Sequence, residues 1–345
     1  MLREIIKESQ QIFKQREIMN LAKQTVWSLK DLFHVEEGIV GIQAEDGIYY
    51  TFGFDGRFSM ISTDESGNLI MEQGEVVSFA SEGLEIREHS VNLWMSDEFG
   101  LIGFAQFVYD ESHRAALAET DCGFEEALEL LQETLQIAFE NTKLNNNLIK
   151  GQEDTILSFA GMCEERSGSA KLHVKRVSEY VKTMARNMGY SKEQADDFAL
   201  SAMMHDIGKM AISDEIIEKP DKLTDAEFEE MKSHVTRAED YIVDSDSSII
   251  DNARQIAREH HERWDGTGYL GMKEDEISEL AAITAIADVF DVLISKRSYK
   301  DSWSVEEAYE EIVSQEGKQF SPKVVEAFKE SFDDILEILS LYKDK

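Results

Sequence analysis

The chain is poor in cysteine and in proline. Of its 345 residues only two are cysteine, Cys122 and Cys163, and two are proline, Pro220 and Pro322. Two thiols, both in expected helices, cannot build a disulfide framework, and a reducing cytoplasm is the simplest compartment for them. Scarce proline suits a mostly helical protein, because proline breaks helix interiors. No run of about 18 apolar residues occurs, so no transmembrane helix is expected. The opening stretch, MLREIIKESQQIFKQ, is charged throughout and does not read as a signal peptide. Base is scarce too: 70 acidic residues face 35 basic ones, a formal charge of −35, divided −16 and −19 about residue 150. Acidity this evenly spread argues against a nucleic-acid polymer or an anionic membrane as partner, since both need basic patches. What the chain does have is 42 % apolar residues and a length that fits about two domains.

The first 30 residues read as a helix, with Ile5, Ile6, Ile12, Phe13, Ile18, Leu21, Ala22 and Val26 near helical spacing. From about 38 to 110 the pattern changes to short alternating or apolar runs, among them GIVGIQA, GIYYTFGF, GRFSMIS and GLIGFAQFVY, with turns expected at Asp46-Gly47 and Asp55-Gly56. A helix, five or six antiparallel strands and a helix outline a small α+β sensor domain over 1–121. His34, His89 and His113 are scattered through it and read as ordinary surface or core histidines. Residues 122–150 return to helix. Phe124, Leu128, Leu131, Leu135, Ala138, Thr142, Asn145 and Ile149 alternate spacings of four and three, a heptad seam that turns polar at its end. Such a seam either packs on its own domain or pairs two chains as a parallel coiled-coil linker; the expectation taken here is a homodimer. Residues 151–345 show no strand pattern. Amphipathic stretches near 152–165, 171–188, 192–204, 213–218, 224–243, 247–262, 276–295, 304–314 and 321–342 predict an all-α domain.

Of eight histidines, five lie in this helical half: His173, His205, His234, His260 and His261. Asp206 follows His205 directly, and Asp288 sits in the apolar run AAITAIADVFDVLIS, where a carboxylate is costly to bury without a partner. A metal ion is one such partner, and imidazoles with carboxylates suit Fe, Mn, Zn or Co. Each residue also has a commonplace reading: a lone helical histidine is usually a hydrogen-bonded core or surface group, and Asp288 can pair with Lys296 or Arg297.

The local words decide between these readings. HVKRV (173–177), HDIGK (205–209), KPDKLT (219–224), MKSH (231–234), HHERWDGTGY (260–269), ADVFDVLISKRSYK (287–300) and FSPKVVEAF (320–328) resemble, in order and spacing, the HD-GYP family of HD metal-dependent phosphohydrolases. The resemblance spans about residues 155–340. The first domain resembles a GAF-type sensor, with PAS the neighbouring possibility, though no sharp motif carries it.

The HD-GYP resemblance implies the metal ligands His173, His205, Asp206, His234, His260, His261 and Asp288, with Asp206 bridging two divalent ions, usually iron or manganese. It implies that Lys209 contacts the scissile phosphate, and that Arg297 and Lys300 hold the dinucleotide's phosphates or guanines. Tyr269 with Gly266 and Gly268 forms part of the substrate wall. The implied catalytic residues are Asp206 and Lys209, and the implied substrate is cyclic di-GMP, opened to pGpG by a hydroxide shared between the metals, with GMP the product where hydrolysis runs further. An unknown ligand or partner of the sensor domain is expected to regulate it. Two alternatives stand beside this: a weak or inactive cyclic di-GMP receptor, and a phosphodiesterase for another cyclic dinucleotide such as cyclic GMP-AMP.

The chain departs from the family pattern in three places. Leu270 stands where the family motif has proline, and loss of that fixed φ is expected to loosen the loop. Ser169 replaces a glutamate that supports a third metal in some relatives, so a dinuclear centre is expected and hydrolysis as far as GMP is less so. Ser167-Gly168 replaces an Asp-Pro pair, a turn with no direct chemical role.

Overall fold

The computed structural model describes residues 18–45, 47–63, 69–70, 76–77, 83–86, 90–109, 123–166, 171–295 and 303–342. The chain divides into two compact units, Met1–Lys150 and Gly151–Lys345. Residues 1–17, His89, His113 and Cys122 lie outside the described residues, as do Ser167–Ser169.

In the first unit, helix α1 (Ile18–Phe33) precedes eight strands: β1 (Gly38–Glu45), β2 (Ile48–Gly53), β3 (Phe58–Thr63), β4 (Leu69–Ile70), β5 (Val76–Val77), β6 (Gly83–Ile86), β7 (Ser90–Asp97) and β8 (Gly100–Val108). They form one sheet in the order β5-β4-β3-β2-β1-β8-β7-β6, every neighbour antiparallel. The register is set by alternation, since successive strand side chains point to opposite faces. Val91, Leu93 and Met95 join one core with the buried stripe of α1, Leu21, Ala22, Leu29 and Phe33. Trp94 points the other way, into a smaller cluster with Tyr49, Ile61 and Phe104. The strands outnumber the five or six expected because β4 and β6, of two and four residues, are too short to show a periodicity.

Helix α2 (Phe124–Arg166) corrects two expectations. It is one element of 43 residues, so the predicted linker and the stretch near 152–165 are continuous. Gly151 lies within this helix without ending it, since glycine costs a helix interior only about 1 kcal/mol relative to alanine. The expected seam is already occupied within the chain. Phe124, Leu128, Leu131, Leu135 and Ala138 are buried in the first unit's own core beside Phe107 and Val91. The heptad spacing marks a buried stripe and does not identify what buries it.

In the second unit the described residues form helices, with a single isolated parallel bridge, Glu316 to Phe320. The helices are α3 (Lys171–Asn187), α4 (Lys192–Ala202), α5 (Asp214–Ile217), α6 (Asp225–Lys232), α7 (His234–Arg237), α8 (Ser248–Glu259), α9 (Glu279–Ile294), α10 (Val305–Ser314), α11 (Pro322–Glu330) and α12 (Phe332–Leu341). Helix α9 is apolar almost all round and is central for that reason: Ile283, Ile286 and Phe290 are fully buried among Tyr180 and Val181 of α3 and Val325 and Phe328 of α11. Starts follow local chemistry. Ser191, Thr224 and Ser304 each close a capping box with the residue three further on. The stretches predicted as single helices over 224–243 and 321–342 are interrupted at Ser233 and Ser331. No helix among the described residues is long and apolar enough to cross a membrane.

Leu131 has no exposed surface, so Leu131→Ala should lower the stability of the first unit by about 2–5 kcal/mol. Hydrogen exchange of the β7 and β8 amides measures this. Unchanged protection accompanied by a halved mass in sedimentation would instead make the seam an interchain contact.

Candidate metal centre

The seven residues expected as ligands come from five parts of the second unit and meet at one place. His173 is on the first turn of α3, and His205 and Asp206 follow α4. His234 opens α7, His260 and His261 follow α8, and Asp288 lies in mid α9. The turn after Asp206 is a short 3-10 helix, Ile207–Ala211, and it packs against His234 so closely that a Cβ at Gly208 would lie 1.9 Å from the His234 carbonyl oxygen. Glycine in HDIGK is therefore a packing requirement of the centre.

Potential ligand atoms gather in three groups: Asp206 with His234, His260 and His261; His173 with His205 and Asp288; and Glu164 with His205 and Asp206. Asp206 Oδ1 lies 3.4 Å from His234 Nε2 and 3.6 Å from His260 Nε2, while Oδ2 lies 3.3 Å from His205 Nε2. His173 Nε2 lies 3.4 Å from Asp288 Oδ1. Ligand atoms around one cation bound at about 2.1 Å stand roughly 3–3.5 Å apart, so these spacings fit.

The imidazoles are oriented from behind. Nδ1 of His205 donates to the Ala202 carbonyl (2.8 Å), and Nδ1 of His234 to that of Met231 (2.7 Å). Nδ1 of His260 reaches the carbonyls of Ile256 and Ala257, both at 3.1 Å. A carbonyl can only accept, so each Nδ1 carries its proton and Nε2 is turned inward. Those three Nε2 atoms and Asp206 Oδ1 are buried and without a hydrogen-bond partner. Unsatisfied buried polar atoms are rare and costly; Asp206 Oδ1 with the Nε2 atoms of His234 and His260 falls in one ligand group and His205 Nε2 in the others, an arrangement that fits bound cations.

The electrostatics divide the ligands. Burial holds His234 down to about 4, and burial with the neighbouring His260 holds His261 well below the usual imidazole value, so both are neutral at pH 7. Burial opposes protonation of His173 as well, but the Asp288 and Asp291 carboxylates outweigh it and push it up to about 10. His205 is pushed up to about 9, against its burial, by Asp206. A cation binding there displaces protons from these two rings. Lys209 is ion-paired with Asp206 and lies 3.5 Å from Glu164; these acids outweigh its burial and hold its pKa above the ordinary lysine value.

Four contributors escaped the sequence reading. Asp291, with no exposed surface, accepts Nδ1 of His173 at 2.8 Å and a two-pronged contact from the buried guanidinium of Arg176 (2.6 and 2.8 Å). It lies one helical turn from Asp288 in the same apolar run, so the burial argument that singled out Asp288 applied to it equally. Arg176 lay inside the HVKRV word. Glu164 lies in the last turn of α2, ahead of the first ligand. Glu262, buried within HHERWDG, is the fourth. Its two carboxylate oxygens accept the backbone N–H groups of Leu270 (2.6 Å) and Met272 (2.7 Å). This corrects the expected loosening at Leu270: the residue in place of proline supplies an N–H that proline lacks, and that N–H ties the loop down. Gly268 packs on the same residue, where a Cβ would lie 2.6 Å from the Glu262 Cα. Tyr269 leans on His261, ring centroids 4.6 Å apart. Arg297 and Lys300, and the alternative Asp288 partner Lys296, lie outside the described residues.

Asp291→Asn keeps the shape and removes the charge. It should weaken metal binding about 10- to 100-fold, read by metal titration. Glu262→Ala leaves two loop amides unsatisfied, so exchange at Leu270 and Met272 should accelerate sharply while metal content holds.

Comparison with known proteins agrees with this geometry. Residues 158–324 match the HD domain family. The 3'3'-cGAMP-specific phosphodiesterase 2 of Vibrio cholerae is 35 % identical over 251 residues, 70 % of this chain and 48 % of that protein. A cyclic di-GMP phosphodiesterase of Thermotoga maritima is 41 % identical over 185 residues, 53 % of this chain and 50 % of its own. A cyclic di-GMP phosphodiesterase response regulator of Xanthomonas campestris is 35 % identical over 183 residues, 53 % of this chain and 48 % of its own. The chain spans about half the length of the curated relatives it matches. The region that holds the histidine and aspartate cluster is an HD domain, and it belongs to the HD-GYP family.

Proposed function

We propose that the chain is a metal-dependent phosphodiesterase that opens cyclic di-GMP to pGpG. The observation that carries this reading is the place of Asp206 in two ligand groups, one with the inward-turned, otherwise unsatisfied Nε2 atoms of His234 and His260, the other with that of His205. Two divalent ions, iron or manganese by the mixed imidazole–carboxylate donor set, would lower the pKa of bound water and draw charge from phosphoryl oxygens. The chain's own residues do the positioning. Asp206 presents one oxygen to each group. Lys209 stays protonated at the edge of a cavity of about 310 Å³ lined by His173, Asp206, His261 and Asp288. There its charge opposes the negative charge that develops on the phosphate. Val289, Val292 and Leu293 line the apolar side of that cavity. Gly268 and Tyr269 bound the opposite side, and Arg297 and Lys300 are assigned to the substrate phosphates or guanines. Ser169 in place of a glutamate favours stopping at pGpG.

The organisation is part of the same proposal: a GAF-like sensor over 1–121, a helical linker over 122–150 and a phosphodiesterase domain over 151–345, with an unidentified sensor ligand setting activity. In a homodimer the exposed Leu144 and Leu148, and not the buried seam, would face the second copy. A second substrate, 3'3'-cyclic GMP-AMP, is favoured by one observation: the relative matched over 70 % of this chain is named as specific for it.

The test is metal content and turnover on one anaerobic preparation, with both cyclic dinucleotides supplied. About two ions per chain and conversion of cyclic di-GMP to pGpG, abolished in Asp206→Ala, are expected. Faster turnover of cyclic GMP-AMP would move the substrate assignment. Two ions with binding but no turnover would make the protein a receptor, and no metal would sink the site.

A further inference from the structure

Helix α6 contributes no buried residue to the core. It is held by its capping box and by the ion pair of Glu227 with Lys219 (2.6 Å). Yet it carries a phenylalanine, Phe228, 45 % exposed. A large apolar side chain on a helix that buries nothing needs a reason, and its surroundings give one. Phe228 meets Tyr269 edge to face, centroids 6.1 Å apart at 85°. Tyr269 in turn packs on His261 and faces His234 at 6.2 Å. Lys232, one turn after Phe228 and on the same helix face, holds its ammonium 5.4 Å from the Phe228 ring and 6.0 Å from that of Tyr269. The same ammonium pairs with Glu229 at 2.5 Å. An aromatic line thus runs from the ligand imidazoles outward, Tyr269 then Phe228, with a cation over its outer part.

We propose that Phe228 is a substrate-contact residue, a shelf on which a purine of the cyclic dinucleotide stacks while one phosphodiester lies at the metal centre. This rests on the phosphodiesterase reading above. A half-exposed aromatic face is suited to a base, because every base offers a π-face. Lys232 strengthens the shelf by holding a positive charge over the two rings. The shelf sets affinity for dinucleotides and plays no part in the bond-breaking step.

The experiment compares wild type, Phe228→Ala and Phe228→Trp on cyclic di-GMP and on methyl p-nitrophenyl phosphate, a phosphodiester with no base. Phe228→Ala should raise KM for cyclic di-GMP on the order of tenfold to a hundredfold. Its kcat, its metal content and its turnover of the small diester should stay unchanged, and Phe228→Trp should restore KM. An unchanged KM, or equal losses on both substrates, overturns the shelf. A wild type that turns over neither substrate overturns the phosphodiesterase reading instead. The shelf is then judged by equilibrium binding of cyclic di-GMP to metal-loaded wild type and Phe228→Ala. Weaker binding to the variant supports it; equal binding, or none to either, overturns it.

Discussion

A buried negative charge organises the second unit. Asp206 is 7 % exposed and is held ionised, against the cost of its burial, by Lys209 and His205. A carboxylate in such surroundings needs compensation on every side. The chain brings that compensation from distant segments: an ammonium three residues on, imidazoles after α4 and α8, and another at the start of α7. The fold of this unit is in large part the solution to that requirement. Helix α9 gives the apolar support, and Gly208 removes the one side chain that would keep the HDIGK turn from His234.

The candidate ligands are legible because they sit in short words whose order alone carries information. Their convergence needed the structure. The supporting residues were less legible because their chemistry depends on contacts across the fold. Asp291 serves through His173, which is 118 residues away, and is itself held by Arg176. Glu262 serves through backbone amides that no side-chain pattern announces. Leu270 shows the limit of reading a motif by its missing member: absence of proline predicted looseness, and the N–H gained in exchange has a buried acceptor.

The first unit teaches a related lesson. Periodicity located the buried stripe of α2 correctly but could not say whether a sheet or a second helix covers it. Both answers require the same spacing of Leu128, Leu131 and Leu135. Burial against Val91 and Phe107 decides it. A strand of two residues such as β4 lies below what alternation can reveal.

Beyond the carboxylate it grips, Arg176 donates from Nη2 to the Ser295 hydroxyl at 3.0 Å, and its Nη1 donates to the carbonyl of Tyr342, just past the end of α12, also at 3.0 Å. Arg176 and Tyr342 are 166 apart in sequence. The guanidinium that steadies Asp291, and through it the ring of His173, gains its full set of acceptors only when the last helix docks. On a growing chain, His173 to Asp288 are all made before this brace can close. The backing of His173 is therefore complete only when α12 has docked, and α3, α9 and α12 are tied through one guanidinium.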